Sequence, residues 1–112
     1  FRAEGLGIGF YYSLIDWHHP EYPVDSRHPM RDNQEFREAT KNRDVKKYAE
    51  YMHKQVKELM TEFGQIDCLF LDYSFPGKDG KGHEDWQSEK LLKMIRKLLL
   101  ILIFARRIFF FV

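Results

Sequence analysis

Two hydrophobic periods alternate along the chain. Over 44–63 the apolar residues Val45, Tyr48, Ala49, Met52, Val56, Leu59, Met60 and Phe63 recur at spacings of three and four. That spacing gathers them on one stripe of an α-helix. Lys46, Lys47, Glu50, Lys54 and Lys57 fall on the remaining surface and read as its solvated face. Asp44 stands where an N-cap is needed, and Gly64 is expected at C′. His53 reads as a surface or boundary residue of this helix. The pattern then changes at once. Ile66 to Tyr73 is an apolar run bounded by Gly64 and by Pro76-Gly77, which predicts a buried strand. Alternation puts Cys68, Phe70 and Asp72 on one face and Leu69 and Leu71 on the other.

The same two periods organise the flanks. Leu6 to Leu14 alternates Leu6, Ile8 and Phe10 with Gly7, Gly9, Tyr11 and Ser13. This predicts a strand with one bulky face and one face that starts with small residues, suited to a crowded barrel axis. Ile15 to Arg43 holds Pro20, Pro23 and Pro29 and little periodicity, so a regular helix is not expected there. Its Trp and Tyr content argues for a packed loop, and loops this long are usually functional or disordered. Ser74 to Glu84 is rich in turn residues. Asp85 to Leu98 predicts a second helix with Leu91, Leu92, Ile95 and Leu98 inward. In Leu99 to Val112, twelve of fourteen residues are apolar. Leu99 to Phe104 is the candidate third strand, and the terminal Ile-Phe-Phe-Phe-Val shows no turn signal and no partner. The apolar stretch is too short and interrupted for a membrane span.

Strands alternating with helices mean βαβ units and a parallel sheet, joined by right-handed crossovers. The fold class is therefore α/β, with about three strands and two helices. Such a sheet has two open edges and one uncovered face. A doubly wound sheet or a (β/α)8 TIM barrel would supply the rest.

Composition narrows the function classes. The chain has 112 residues, room for one small domain. It begins at Phe1 with no leader-like segment, so a piece of a longer chain is expected. Lys and Arg number 18 against 17 Asp and Glu, which gives no support for nucleic acid or an anionic membrane as a partner. A lone cysteine, Cys68, forms no internal disulfide and says little about compartment. Gly5, Gly7 and Gly9 precede or lie within a strand, and no Ser or Thr follows Lys81, so neither run is a phosphate loop. No cofactor is expected.

Asp72 is the candidate for chemistry. Catalytic groups collect at the C-terminal ends of parallel strands, and a buried acid is costly unless used or paired. The residues alone leave two readings open, a catalytic carboxylate or a cap for the following turn. From the residues alone Tyr11 reads as barrel filling. His18-His19 are adjacent, point opposite ways on extended backbone, and lack a Cys or carboxylate cluster, so a loop pair is preferred to a metal site. Asp16 and Glu21 read as a carboxylate partner or as loop salt bridge and cap. Cys68 reads as an inert buried thiol.

Three stretches together resemble a known family. They are Gly9-Phe-Tyr-Tyr-Ser13 with Asp16-Trp17, the helix Lys47-Tyr-Ala-Glu-Tyr-Met-His-Lys-Gln-Val-Lys-Glu-Leu59, and Ile66-Asp67 through Asp72. They look like the α-L-fucosidases of glycoside hydrolase family 29, over residues from about Gly5 to Leu98. The resemblance implies a (β/α)8 catalytic barrel that releases terminal α-L-fucose from a fucosylated glycan or glycoconjugate, retaining configuration through a glycosyl-enzyme. It implies that Asp72 is the nucleophile and that Tyr11, Phe70 and Trp17 contact the sugar. Phe70 departs from the family's tryptophan and lacks an indole N–H. The acid/base is implied in later loops, and the family's paired histidines upstream of Phe1; His18-His19 is a different pair. The resemblance covers 1–98 as barrel and breaks at 99–112, where a frame shift or truncation is expected. Resequencing the coding DNA tests that expectation, and an intact frame would refute it.

Overall fold

The apolar run of the middle becomes the central strand. The computed structural model describes residues 1–101 and 107–110. Strands β1 (Gly9–Ser13), β2 (Cys68–Asp72) and β3 (Arg107–Phe110) form one parallel sheet in the order β1-β2-β3. The connections carry α1 (Gln34–Ala39), α2 (Val45–Thr61) and α3 (Ser88–Ile101). The mixed α/β class and the parallel pairing are as the alternation predicts. In register, Gly9 lies beside Cys68, Tyr11 beside Phe70 and Ser13 beside Asp72. Neighbours in a parallel register share a face, so Tyr11, Phe70, Ser13 and Asp72 stand on the same side.

The other side is the core. Leu69 and Leu71 are buried there against Tyr48, Met52, Val56 and Met60 of α2, Leu91 and Ile95 of α3, and Trp86. Fully burying a large apolar side chain is worth about 1.5–3 kcal/mol. The polar tips are met as well. The Tyr48 hydroxyl donates to the Leu14 carbonyl at 2.8 Å, and the Trp86 indole N–H donates to Ser74 Oγ at 3.2 Å. Among the described residues α2 and α3 pack on this face, and Tyr11 on the opposite face stays 57% exposed.

The long helix follows its pattern closely. The Asp44 carboxylate accepts the Lys46 N–H at 2.9 Å and caps it. Gly64 takes the left-handed conformation at φ +74°, two residues beyond the cap Glu62 rather than at C′.

Five expectations are corrected. The 15–43 connection contains the short helix α1, whose Asn33 side chain accepts the Phe36 N–H at 2.9 Å; a local cap did what periodicity did not announce. The second helix starts at Ser88, not Asp85, because Gln87 sits at φ +48° and interrupts the turns that precede it. It then runs on through Leu99 to Ile101, so no strand starts at Leu99; positions 102–104 lie outside the described residues. The terminal run does find a partner, since 107–110 pair with β2.

The fifth correction is His53. It is buried, and its Nε2 lies 2.8 Å from the Trp86 carbonyl, so Nε2 carries a proton and donates. Burial holds His53 below the ordinary histidine range, against the opposing pull of that carbonyl. His28 is likewise lowered by burial. Both rings bind protons less readily folded than unfolded, where histidine titrates near about 6.5. Their contribution is therefore complete above that value and is lost as pH falls through it. We expect the urea midpoint to drop between about pH 7.5 and about pH 5.5, and His53→Gln to flatten part of the decline. A midpoint that does not change over that interval would refute buried, neutral rings.

Candidate active site

The site is built where β1 and β2 end. Asp72 closes β2, and the chain pairing continues one step further, because the Leu14 N–H donates to the Asp72 carbonyl at 2.9 Å. The side chain is held from two sides. The Tyr11 hydroxyl donates to Asp72 Oδ2 at 2.8 Å, and the Tyr73 N–H donates to Asp72 Oδ1 at 2.7 Å. The Asp72 carboxylate, accepting this bond, pushes the Tyr11 phenol up to about 12. Tyr11 therefore stays protonated, and stays a donor, across the neutral range. Its ring stacks on Phe70 at 5.5 Å with 22° between planes. The result is an aromatic floor with one fixed carboxylate on an exposed face.

Tyr73 reaches Asp72 by an unusual route. Its φ is +74°, a conformation that costs a non-glycine residue about 1–2 kcal/mol. Strain of this kind collects at functional sites. Sequence reasoning did not single out Tyr73. It has no side-chain signature, because it acts through its backbone.

Beside the carboxylate lies a cavity of about 780 Å³. Ser13, the register partner of Asp72, and Tyr73, its successor, form one side of it. Trp17, Met30 and Phe36 form an apolar wall with His28. Of the four expected site residues, Tyr11, Phe70 and Asp72 thus come together on the sheet. Trp17 stands apart from them on the cavity wall, 43% exposed.

Two loops make that wall rigid. After β2 the chain turns back on itself, with Phe75 and Lys81 bridged antiparallel. The turn needs Gly80, since a Cβ there would sit 2.2 Å from the Phe75 carbonyl oxygen. This sends Lys81 inward to pair with Asp25, the two being 4% and 1% exposed. Lys81 Nζ also donates to the Pro23 carbonyl at 2.8 Å and lies 4.2 Å from the centre of the Tyr22 ring. The Tyr22 hydroxyl donates to Asp25 Oδ2 at 2.8 Å, and the Arg27 N–H donates to Oδ1 at 2.9 Å. Burial pushes Asp25 up, but Lys81, Tyr22 and Arg27 together hold its carboxyl below the usual range. The Ser26 N–H donates to the Asp79 carbonyl at 2.8 Å and adds a backbone tie between the loops. Sequence reasoning saw Lys81 only as part of a turn.

The remaining polar candidates have structural partners. His18 is exposed, whereas His19 packs 4.3 Å from the Tyr51 ring, so the two diverge. Asp16 Oδ1 accepts the His18 N–H at 3.1 Å. Glu21 accepts the Asp44 N–H at 3.0 Å and pairs with Lys47 at 3.6 Å, a loop tie and salt bridge. Cys68 is half-buried on the exposed face rather than fully buried. Among the described residues no three His, Cys, Asp or Glu side chains are grouped to hold a metal ion, and no helix is long and apolar enough to cross a membrane.

The fold is shared with a known protein. The solved structure of α-L-fucosidase isoenzyme 1 from Paenibacillus thiaminolyticus superposes with a TM-score of 0.77 and 54% identity, over 88% of this chain and 23% of that one. A protein of Oryza sativa subsp. japonica named "Putative alpha-L-fucosidase 1" is 29% identical over 98 residues, or 87% of this chain and 14% of its own length. The chain thus spans less than a quarter of either relative. The family model described as Alpha-L-fucosidase matches residues 1–106. The chain belongs to the α-L-fucosidase family of glycoside hydrolases.

Proposed function

We propose that this chain supplies the nucleophile sector of a retaining α-L-fucosidase, acting on a fucosylated glycan or glycoconjugate. The observation that carries the reading is Asp72 at a strand end, its two oxygens held by the Tyr11 hydroxyl and the Tyr73 N–H. Both bonds fix the orientation of the carboxylate, which a nucleophile requires. Asp72 attacks the anomeric carbon as the glycosidic bond breaks. The leaving oxygen takes a proton from an acid/base in another part of the barrel, and water then releases fucose with retained configuration. Tyr11 and Phe70 wall the sugar, and Trp17 flanks it. The three strands are read as a sector of a (β/α)8 barrel. Support comes from the parallel order β1-β2-β3 and from helices on one face, which leaves the face of Tyr11, Phe70 and Asp72 for the axis.

That exposed face also favours a second reading for these 112 residues by themselves: a non-catalytic piece that binds sugar weakly or not at all. The purified chain is expected to release no p-nitrophenol from p-nitrophenyl α-L-fucoside. It is also expected to self-associate through its open sheet face, as seen by light scattering. Measurable turnover, or a monodisperse monomer, would overturn the sector reading. Turnover by a complete barrel carrying this segment tests the fucosidase reading itself.

A further inference from the structure

A strained residue keeps its conformation only when the structure around it holds the chain on both sides. Tyr73, at φ +74°, is held in this way. Upstream, its peptide unit is fixed at the Asp72 carbonyl, which accepts the Leu14 N–H at 2.9 Å. Downstream, the next residue is fixed through its side chain, because Ser74 Oγ accepts the Trp86 indole N–H at 3.2 Å. Phe75, one step further on, is bridged to Lys81.

Trp86 is placed as an anchor. It is fully buried. Its backbone N–H donates to the Gly82 carbonyl at 3.1 Å, and its carbonyl accepts from His53 Nε2 at 2.8 Å. Its ring packs against Tyr48 and Tyr22, with centres 6.3 Å and 6.5 Å away. The indole N–H can only donate, and it meets the hydroxyl of half-buried Ser74. That hydroxyl therefore satisfies a buried donor and also ties the residue after Tyr73 to the core. An L-residue released from the left-handed region gains free energy by leaving it. Leaving it by rotation of the peptide between Asp72 and Tyr73 turns the Tyr73 N–H away from Asp72 Oδ1, which it now meets at 2.7 Å.

Resting on the nucleophile reading of Asp72, we propose that Ser74 and Trp86 are positioning residues for the reaction. Their hydrogen bond keeps Tyr73 left-handed, and so keeps the Tyr73 N–H on the Asp72 carboxylate. The test is made in a complete barrel that carries this segment, with p-nitrophenyl α-L-fucoside as substrate. Ser74→Ala should lower kcat at least about tenfold, since misplacing a reacting group by about 1 Å can cost about 10²-fold. KM should hardly change, because the sugar contacts of Tyr11 and Phe70 remain. A bond that served only the indole would lower the urea midpoint and leave kcat of the folded enzyme as it was. Ser74→Thr keeps the acceptor and should restore most of kcat. Glycine takes a positive φ without steric cost, so in a Tyr73→Gly background Ser74→Ala should remove far less of the remaining kcat. If Ser74→Ala does not fold, Ser74→Cys, similar in shape with a weakly accepting sulfur, carries the same expectation. Unchanged kcat in these Ser74 variants, or an equal loss in both backgrounds, would overturn the proposal. Asp72→Asn separates the two readings. If it abolishes turnover while Ser74→Ala does not lower kcat, this inference fails alone; if it leaves turnover intact, the nucleophile reading fails and this inference with it.

Discussion

Asparagine at position 72 is expected to lower turnover of p-nitrophenyl α-L-fucoside at least about 10³-fold in a complete barrel that carries this segment. The two side chains have nearly the same shape, so the packing around Phe70 and Tyr11 survives. What is lost is the anionic oxygen that would form the bond to the sugar. Asparagine also offers a single acceptor oxygen where two now accept from Tyr11 and Tyr73. A loss of rate alone would not distinguish a nucleophile from a turn cap. Azide does. In Asp72→Gly, which removes the side chain, the added small anion can enter the vacated space and attack the anomeric carbon directly. Rescue by azide, with a fucosyl azide of inverted configuration as product, identifies Asp72 as the nucleophile. Near-normal activity of either variant, or a loss in Asp72→Gly that azide does not rescue, would return Asp72 to the role of a structural acid.

How much of this site is visible in the residue order depends on the kind of interaction. Asp72, Phe70 and Tyr11 were legible because a period of two fixes which residues share a sheet face, and parallel register then brings the two strands together. The helix of 45–61 was legible because packing selects its apolar stripe and Asp44 caps it locally. His53 was not. It sits on the stripe's margin, and only the position of Trp86, 33 residues away, turns a polar boundary residue into a buried donor. Tyr73 was not legible because its contribution is a backbone N–H placed by a strained φ. His28 and the pair of Asp25 and Lys81 lie in loops, where no period relates sequence to contact. Asp25 and Lys81 are 56 residues apart, and only the folded hairpin of 75–81 joins them. Long-range pairing between loops leaves no local pattern to read.

That same pair provides the largest expected effect on stability. Lys81→Met keeps length and apolar stem but leaves the Asp25 carboxylate buried with the Tyr22 hydroxyl and the Arg27 N–H as its remaining donors. Removing one partner of a buried ion pair costs about 3–5 kcal/mol. That is a large share of a small domain's stability of about 5–15 kcal/mol. Asp25→Asn alone strands the ammonium instead. The double variant, with both charges gone, is expected to be more stable than Lys81→Met, with a coupling of about 1–3 kcal/mol in the double-mutant cycle. Acid should narrow the gap between parent and Lys81→Met. The folded carboxyl of Asp25 lies below its ordinary range, so its contribution is complete above the unfolded aspartate value of about 3.9 and is lost as pH falls below it. Urea midpoints compared at one protein concentration measure all three effects. The consequence for the site follows from where the pair sits. It joins the loop that carries Trp17 and His28 to the loop that follows Tyr73, so loosening it should loosen the cavity wall as well as the fold. If Lys81→Met leaves the midpoint unchanged, or the cycle shows no coupling, the two loops are not held by this pair, and the cavity wall owes its order to the remaining ties, the Ser26–Asp79 backbone bond and the Arg37–Asp79 ion pair among them.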